Sequence, residues 1–377
     1  MFLHYLNKKH MPGPISGQNL ELALSSLSIF KILWPSITAF FFGIFITPIL
    51  SDFLYRKKLW KKKNVATTID GNQATITASI LNDGKRETPR LGGLIIIFAT
   101  LFCVILYSVL PNFFQFNIFE KLNFISRNQT WLPIIIFILA ALVGLLDDLA
   151  SVGMFKLKNK KGEPGMPLKM RLVFVIIFAI LAGLWFFFKL DFATLSIPFL
   201  GEVYFGKYII LLFILLFLGM YGASNIDGLD GLSGGLFAIL YSAYGIIALI
   251  NNQIDIATLS FVVVGGILAF LWFNIPPARF YLSEVGYMPL AILLGLIAVM
   301  TDAVFLLPII AMPFVLTEIT TIIQLLSKKF RKKKVFPVTP IHNTFVYLGW
   351  SKEKVVMRYW IFGMIFALLG VALYIIS

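Results

Sequence analysis

Ten apolar runs, most of them close to 20 residues long, recur along this 377-residue chain and leave few architectures open to it. An α-helix needs about 20 apolar residues to cross a bilayer, and lipid tolerates only structures that satisfy their own backbone hydrogen bonds. The runs lie near residues 30–51, 91–111, 131–148, 171–190, 207–223, 234–250, 257–274, 285–301, 303–326 and 357–376. They predict an all-α polytopic membrane protein of about ten transmembrane helices, with residues 1–377 forming a single integral membrane domain.

The composition agrees with a membrane protein and excludes the soluble and disordered classes. Hydrophobic residues make up 59% of the chain and charged residues 13%, whereas a soluble domain usually carries about 25% charged residues. A net charge of +14 in a soluble protein would suggest a nucleic-acid partner. Because the basic residues here gather in alternate loops, we attribute the charge to topology and to anionic membrane lipids, and we predict no nucleic-acid partner.

The distribution of Lys and Arg predicts the orientation in the membrane. If the loop after the first helix is cytoplasmic, the inner loops hold most of the basic residues: nine at 56–90, six at 156–171, one at 279 and nine at 328–358. Since cytoplasmic loops carry an excess of Lys and Arg, we predict cytoplasmic loops at 52–90 and 327–356. Both termini are then extracytoplasmic, including a tail over residues 1–29.

Two adjacent acids end the third predicted helix. Asp147 and Asp148 follow an apolar run. Neighbouring carboxylates near lipid repel one another unless a divalent metal or a cationic side chain offsets their charge. The alternative interpretation is a helix end that meets solvent.

A glycine-rich loop between the fifth and sixth predicted helices carries three further candidates. Asn225, Asp227 and Asp230 are interleaved with glycines, which let a backbone approach a ligand closely. The loop could therefore present carboxylates and N–H groups together. A simple turn in which Asp caps the sixth helix fits the same spacing.

Two more inner loops supply Glu284 and His342. Glu284 is the only acid between the seventh and eighth helices, and Tyr281 lies three residues before it. Tyr281 could stack on a base, but an interfacial aromatic belt explains it equally well. His342 is the only histidine outside the N-terminal tail, and it could bind a ligand or be a satisfied loop histidine.

Together these loops place acids and cations on one face of the membrane. Acids that hold Mg²⁺, with Lys and Arg that hold phosphates, are what phosphoryl transfer requires. The apolar body would give access to a lipid acceptor. The sequence therefore predicts an active site built from cytoplasmic loops.

At these residues the chain resembles the phospho-N-acetylmuramoyl-pentapeptide transferase family, within the polyprenyl-phosphate sugar-1-phosphate transferases. The similarity runs from about Lys85 to the C-terminus. Its best stretches are Thr88–Gly93, the Asp147–Asp148 pair, Asp227–Leu232, Phe273–Asn274 with Pro277–Ala278, Pro340–His342 and the tail Leu348–Trp360. The tail resembles the muramoyl-pentapeptide branch more than the teichoic-acid and enterobacterial-antigen branches.

The resemblance implies a ten-helix enzyme of the bacterial inner membrane that depends on Mg²⁺. It would transfer phospho-MurNAc-pentapeptide from UDP-MurNAc-pentapeptide to undecaprenyl phosphate, with lipid I and UMP as products. It also makes a homodimer plausible. The roles implied by position are catalytic for Asp147, Asp148, Glu284 and His342, metal-binding for Glu284, Asp147 and Asp148, and substrate-binding for Lys85, Arg86, Lys169, Arg171, Asn225, Asp227, Asp230 and Tyr281.

Three departures from the family pattern affect the metal and donor sites. Glu284 replaces the metal-binding Asp of the family, the run of three histidines is reduced to His342-Asn343-Thr344, and Asn225 lies one residue closer to Asp227 than the family Asn. They leave two alternatives open: a related transferase that uses UDP-GlcNAc, and a non-catalytic membrane relative. A secondary transporter is less favoured, because transport sites lie near the bilayer midplane whereas almost every acid here lies at one face.

Overall fold

The computed structural model describes residues 26–60, 87–113, 117–125, 128–155, 157 and 164–377. In these residues the chain is almost entirely helical. The helices are α1 (Ser26–Arg56), α2 (Leu94–Phe113), α3 (Asn117–Leu122), α4 (Asn128–Ser151), α5 (Leu168–Lys189), α6 (Ile209–Gly222), α7 (Leu232–Ile250), α8 (Ile254–Asn274), α9 (Ser283–Met300), α10 (Leu307–Ile310), α11 (Met312–Arg331), α12 (Ile341–Tyr347) and α13 (Lys352–Ile376). Strands β1 (Thr194–Ile197) and β2 (Gly201–Tyr204) form one hairpin between α5 and α6.

The predicted all-α polytopic architecture is confirmed. Nine described helical segments are long and apolar enough to cross a membrane, namely α1, α2, α4, α5, α7, α8, α9, α13 and, with its flanking 3-10 turns, α6 (Gly206–Ile226). A tenth span results if the bent pair α10 and α11 counts as one. The chain is therefore a multi-pass membrane protein.

The ninth apolar run, expected as one helix over 303–326, is broken instead. A bend of 78° separates Val304–Ile310 from Met312–Arg331. Both α10 and α11 have proline in their first two positions, Pro308 and Pro313. Proline has no N–H to donate, and its ring clashes with the preceding helical turn, so Pro313 begins a new helix rather than continuing α10.

Helix α9 lies at the centre of the bundle. Every residue from Val285 to Val299 is buried. By contrast, outer faces of α1, α2 and α13 carry exposed apolar side chains, such as those of Phe41, Phe45, Ile105 and Leu368. A helix that is apolar all round is stable at the core of a membrane bundle, and the outer apolar faces suit contact with lipid.

The two ends of α9 differ in chemistry. Its first turn carries Glu284. Asp302, two residues beyond its last residue, accepts hydrogen bonds from the Ser196 backbone N–H (2.9 Å) and hydroxyl (2.5 Å) of β1. An 18-residue helix is about 27 Å long. The hairpin and the loop acids therefore lie at opposite ends of the bundle.

Candidate active site

The segment before α2 pairs with the segment before α9. Tyr281 N–H donates to the Pro89 carbonyl (3.0 Å), Gly92 N–H donates to the Tyr281 carbonyl (2.9 Å), and Gly93 N–H donates to the Leu282 carbonyl (3.2 Å). These bonds form a short ladder between two stretches almost 190 residues apart. The ladder fixes where α9 begins.

Two glycines let α2 and α4 approach the first turn of α9. A Cβ atom on Gly93 would lie 2.3 Å from Gly286 Cα, and one on Gly144 would lie 2.4 Å from the Glu284 carbonyl oxygen. Any side chain at either position would collide with backbone, so the glycines permit direct contact. The last turn of α4, with Asp147 and Asp148, thus lies against Glu284.

Asp148 is fully buried, and both of its carboxylate oxygens accept hydrogen bonds. Its Oδ1 accepts from Arg90 Nε (2.9 Å) and lies 2.8 Å from Arg90 Nη2, while its Oδ2 accepts from the Val285 N–H (2.9 Å). Burial lowers the pKa of Arg90, but the charge of Asp148 and of neighbouring acids outweighs that effect and raises it. Arg90 therefore stays charged and neutralises Asp148.

Asp147 and Glu284 share a second arginine. Arg171 Nη1 donates to Glu284 Oε1 and lies 3.6 Å from Asp147 Oδ2. The other Asp147 oxygen accepts from the Met166 N–H (2.7 Å), and Glu284 Oε2 accepts from the Tyr221 hydroxyl (3.2 Å). One cationic nitrogen thus faces two carboxylates from different helices.

Asp227 approaches the same turn of α9 from the glycine-rich loop. Its carboxylate accepts from the Ser233 hydroxyl (2.5 Å) and from the backbone N–H of Ser283. Burial raises the pKa of Asp227, and the Ser233 hydroxyl and the charge of Arg90 oppose that rise. Asp227 and Asp148 therefore both bind N–H groups at the start of α9, where helical N–H groups lack partners within the helix.

His342 packs on the glycine-rich loop. Its Nε2 would lie 2.9 Å from a Cβ atom on Gly228, and its ring centroid is 6.3 Å from that of Tyr359. The imidazole is completely buried, and neither ring nitrogen has a hydrogen-bond partner among the described residues. Burial lowers the pKa of His342 to about 3, so the ring is neutral at physiological pH.

Comparison with known proteins assigns the family. The phospho-N-acetylmuramoyl-pentapeptide-transferase of Listeria welshimeri is 30% identical over 93% of this chain and 100% of its own length. The chain belongs to the phospho-N-acetylmuramoyl-pentapeptide transferase family. The transferases of the same name from Bacillus pumilus (30% identical) and Anoxybacillus flavithermus (31%) each align over 90% of this chain and 97% of their own length. The resemblance predicted from the motifs is confirmed.

A family model described as glycosyl transferase family 4 matches residues 130–302. That stretch runs from α4 to the end of α9, so it contains Asp147, Arg171, Asp227 and Glu284. Arg90 and His342 lie outside it and reach the site from the two flanking parts of the chain.

The other predicted substrate-binding residues make no hydrogen bond to the four acids among the contacts described here. Lys85 and Arg86 fall outside the described residues. Lys169 is exposed, and the Tyr281 side chain lies on the surface with 41% exposure. Of the other two, Asp230 accepts from the Ala278 N–H (3.2 Å), and Asn225 is hydrogen-bonded to Glu318 of α11.

Arg90 belongs to the cluster although the sequence assigned it no role. It was visible only as a basic residue inside the Thr88–Gly93 stretch, directly before the glycines that approach α9. Its partner Asp148 lies 58 residues away in the sequence, and this separation hides the pair from any local pattern.

The cluster carries an excess of acidic over basic side chains. Its four acids are opposed by two arginines: Asp147, Asp148, Asp227 and Glu284 against Arg90 and Arg171. If every group is ionised, two negative charges remain, and burying them is costly without a further cation. Among the described residues no three His, Cys, Asp or Glu side chains converge as a ready-made metal site. Asp147 and Glu284 fit a cation best, since both already face one positively charged nitrogen.

Proposed function

We propose that this chain transfers phospho-MurNAc-pentapeptide from UDP-MurNAc-pentapeptide to undecaprenyl phosphate, giving lipid I and UMP. The observation that carries the proposal is the buried acid and arginine cluster at the first turn of α9, in a chain whose relatives bear that transferase name. A phosphate oxygen of the lipid would attack the β-phosphorus of the donor. The bond from that phosphorus to the bridging oxygen would break, and UMP would leave.

The donor diphosphate and the acceptor phosphate both bring negative charge to this cluster. Asp147 and Glu284 would hold Mg²⁺, which would supply charge neutralisation at the reacting phosphates. Arg171, already placed between these two acids, would bind the phosphates as a fixed donor. Asp148 is committed to Arg90 and Val285, so we place it outside the metal ligands.

We further propose that the site faces the cytoplasm of a bacterial inner membrane, with both termini outside. The basic loops support this orientation, because Lys and Arg favour the cytoplasmic side. The exposed apolar faces of the outer helices would contact membrane lipids. A homodimer, which the family resemblance makes plausible, would need part of that apolar surface.

A second donor remains a specific alternative. His342-Asn343-Thr344 stands where the family has three histidines, and the buried Asn343 Oδ1 has no partner among the described residues. A smaller nucleotide sugar such as UDP-GlcNAc would need different contacts from residues 342–344. Competition between the two UDP-sugars in one UMP-release assay separates the donors.

The acid variants test the reaction itself. Asp147→Asn and Glu284→Gln should each lower Mg²⁺-dependent UMP release by more than about 100-fold, because each removes a carboxylate that would hold the cation at the reacting phosphates. Asp52→Asn is the matched control, since Asp52 is an exposed acid paired with Arg56 on α1. Full activity in both cluster variants would contradict the assignment.

A further inference from the structure

Arg90 is held in place by its own backbone before its side chain reaches the acids. Its N–H donates to the Leu59 carbonyl just beyond α1 (2.9 Å), and the neighbouring Pro89 carbonyl accepts from Tyr281 N–H (3.0 Å). The Arg90 side chain is 19% exposed, while the Asp148 side chain that it binds is inaccessible to solvent. Because the backbone is already fixed, only the side-chain torsions of Arg90 must be ordered when it binds Asp148.

The Arg90–Asp148 pair leads directly to the backbone that carries Glu284. Arg90 uses Nε and Nη2 on a single Asp148 oxygen, which leaves Oδ2 to accept the N–H of Val285. Val285 follows Glu284, and its N–H lies in the first helical turn, where N–H groups need a partner from outside the helix. Asp148 supplies that partner from α4.

We propose that Arg90 is a positioning residue for Glu284, acting through Asp148 and the Val285 N–H. This inference rests on the proposed function in one respect, since it takes Glu284 as a residue that faces the divalent cation. Arg90 fixes the Asp148 carboxylate, and Asp148 fixes the turn of α9 from which Glu284 extends towards Asp147 and Arg171.

Glu284 needs this support for two physical reasons. A Glu side chain has one more rotatable bond than an Asp side chain, so its carboxylate is placed accurately only if its backbone is fixed. In addition, Asp148 without Arg90 would be a buried carboxylate beside Asp147 that has lost its hydrogen-bonded counterion, and it would turn out of its place. That movement would release the Val285 N–H.

The test compares Arg90→Met, Arg90→Lys and wild type as full-length protein in detergent. Mn²⁺ alone, followed by electron paramagnetic resonance, reports on the cation site without substrate. Groups that orient metal ligands typically contribute about 10- to 100-fold to metal affinity or activity. We expect Arg90→Met to weaken Mn²⁺ binding and to lower kcat for UMP release by about that factor. The KM for the UDP-sugar should stay within about threefold, because the donor is not bound through Arg90.

Arg90→Lys keeps the charge but provides a single point donor, so it should recover part of both losses. Arg56→Met is the matched control: it breaks an exposed arginine–aspartate pair of similar length (2.8 Å) and should change Mn²⁺ affinity by less than about twofold. Wild-type Mn²⁺ affinity in a folded Arg90→Met variant would overturn the proposal. If Arg90→Met does not fold, Arg90→Lys replaces it, and unchanged affinity there overturns the proposal equally.

Two outcomes separate this inference from the proposed function. If wild type binds Mn²⁺ but releases no UMP, the proposed reaction fails while the Mn²⁺ comparison still tests Arg90. If wild type binds no Mn²⁺, the link from Arg90 to Val285 is tested by amide hydrogen exchange in the peptide covering residues 282–287. Exchange at least about tenfold faster in the Arg90 variant than in wild type supports the link to Val285, and equal exchange overturns it.

Discussion

At the scale of single residues, the four buried acids differ in what they hold. Asp148 and Asp227 accept backbone N–H groups at the start of α9, so they fix that turn. Asp147 and Glu284 do not bind those N–H groups, and they share one nitrogen of Arg171. We therefore propose a structural role for the first pair and a cation-binding role for the second.

His342 gives a prediction about acid stability. Burial lowers its pKa from 6.5 to about 3, so between these values the proton binds the unfolded chain and not the folded one. Protonation of His342 therefore has little effect on the free energy of unfolding above pH 6.5. Below that pH it lowers the free energy of unfolding by about 1.4 kcal/mol per pH unit. Lowering the pH from 7 to 5 should thus reduce the free energy of unfolding by about 2 kcal/mol, as measured by denaturant unfolding in detergent.

The comparison variant is His342→Gln, which has no proton to take up in this range. It should lose about 2 kcal/mol less than wild type between pH 7 and pH 5, whatever its stability at pH 7. An identical loss in both proteins would show that His342 is accessible to protons in the folded state.

The sequence identified all four of these acids but not their separate roles. Asp147 and Asp148 are neighbours with the same surroundings in the sequence, and only their distant partners distinguish them. Val285 is 137 residues from Asp148, and Glu284 is 113 residues from Arg171. Long-range pairs of this kind depend on how helices pack, which motif spacing does not encode.

At the scale of helices, glycines at two contact points let the backbones approach closely and bring the acids together. Gly144 of α4 lies against the backbone of Glu284, and Gly93, just before α2, lies against Gly286. Small residues at such crossings let helix backbones approach closely in membranes. The ten apolar runs predicted the helices well because lipid demands about 20 apolar residues per span. They did not predict the bend before Met312, which depends on Pro313 rather than on hydrophobicity.

Gly144→Ala tests the crossing of α4 and α9. The new methyl group would lie 2.4 Å from the Glu284 carbonyl oxygen, so the helices must separate. Overpacking of this kind costs about 1–3 kcal/mol, and we expect UMP release to fall at least about tenfold as Glu284 shifts. Gly219→Ala in α6 is the matched control, because a Cβ atom there meets nothing within 4 Å. Equal activity and thermal stability in the two variants would contradict a close crossing at Gly144.

At the scale of the whole molecule, the two ends of the bundle carry different chemistry. The end with the acids also carries described basic residues, such as Arg56–Lys58 at the end of α1, while the other end carries the β1–β2 hairpin fastened to Asp302. The charge pattern predicted that the acids and the basic residues share one end, because consecutive membrane spans run in opposite directions. It could not predict the hairpin, whose two strands have only four residues each.

Cysteine labelling tests the orientation. The native Cys103 is buried and should react little, so single cysteines can be added at exposed Glu202 of β2 and exposed Lys334 after α11. In intact cells a membrane-impermeant maleimide should label Glu202→Cys, and it should label Lys334→Cys only after the membrane is opened. The reverse pattern would contradict a cytoplasmic active site.

The central claim is that the cluster at the start of α9 transfers a phospho-sugar to a lipid phosphate. The most direct measurement is UMP release by purified wild-type protein given undecaprenyl phosphate and UDP-MurNAc-pentapeptide, with and without Mg²⁺. We predict release that requires Mg²⁺ and both substrates. No release from protein shown to be folded would contradict the claim, and release without Mg²⁺ would contradict the cation's place in it.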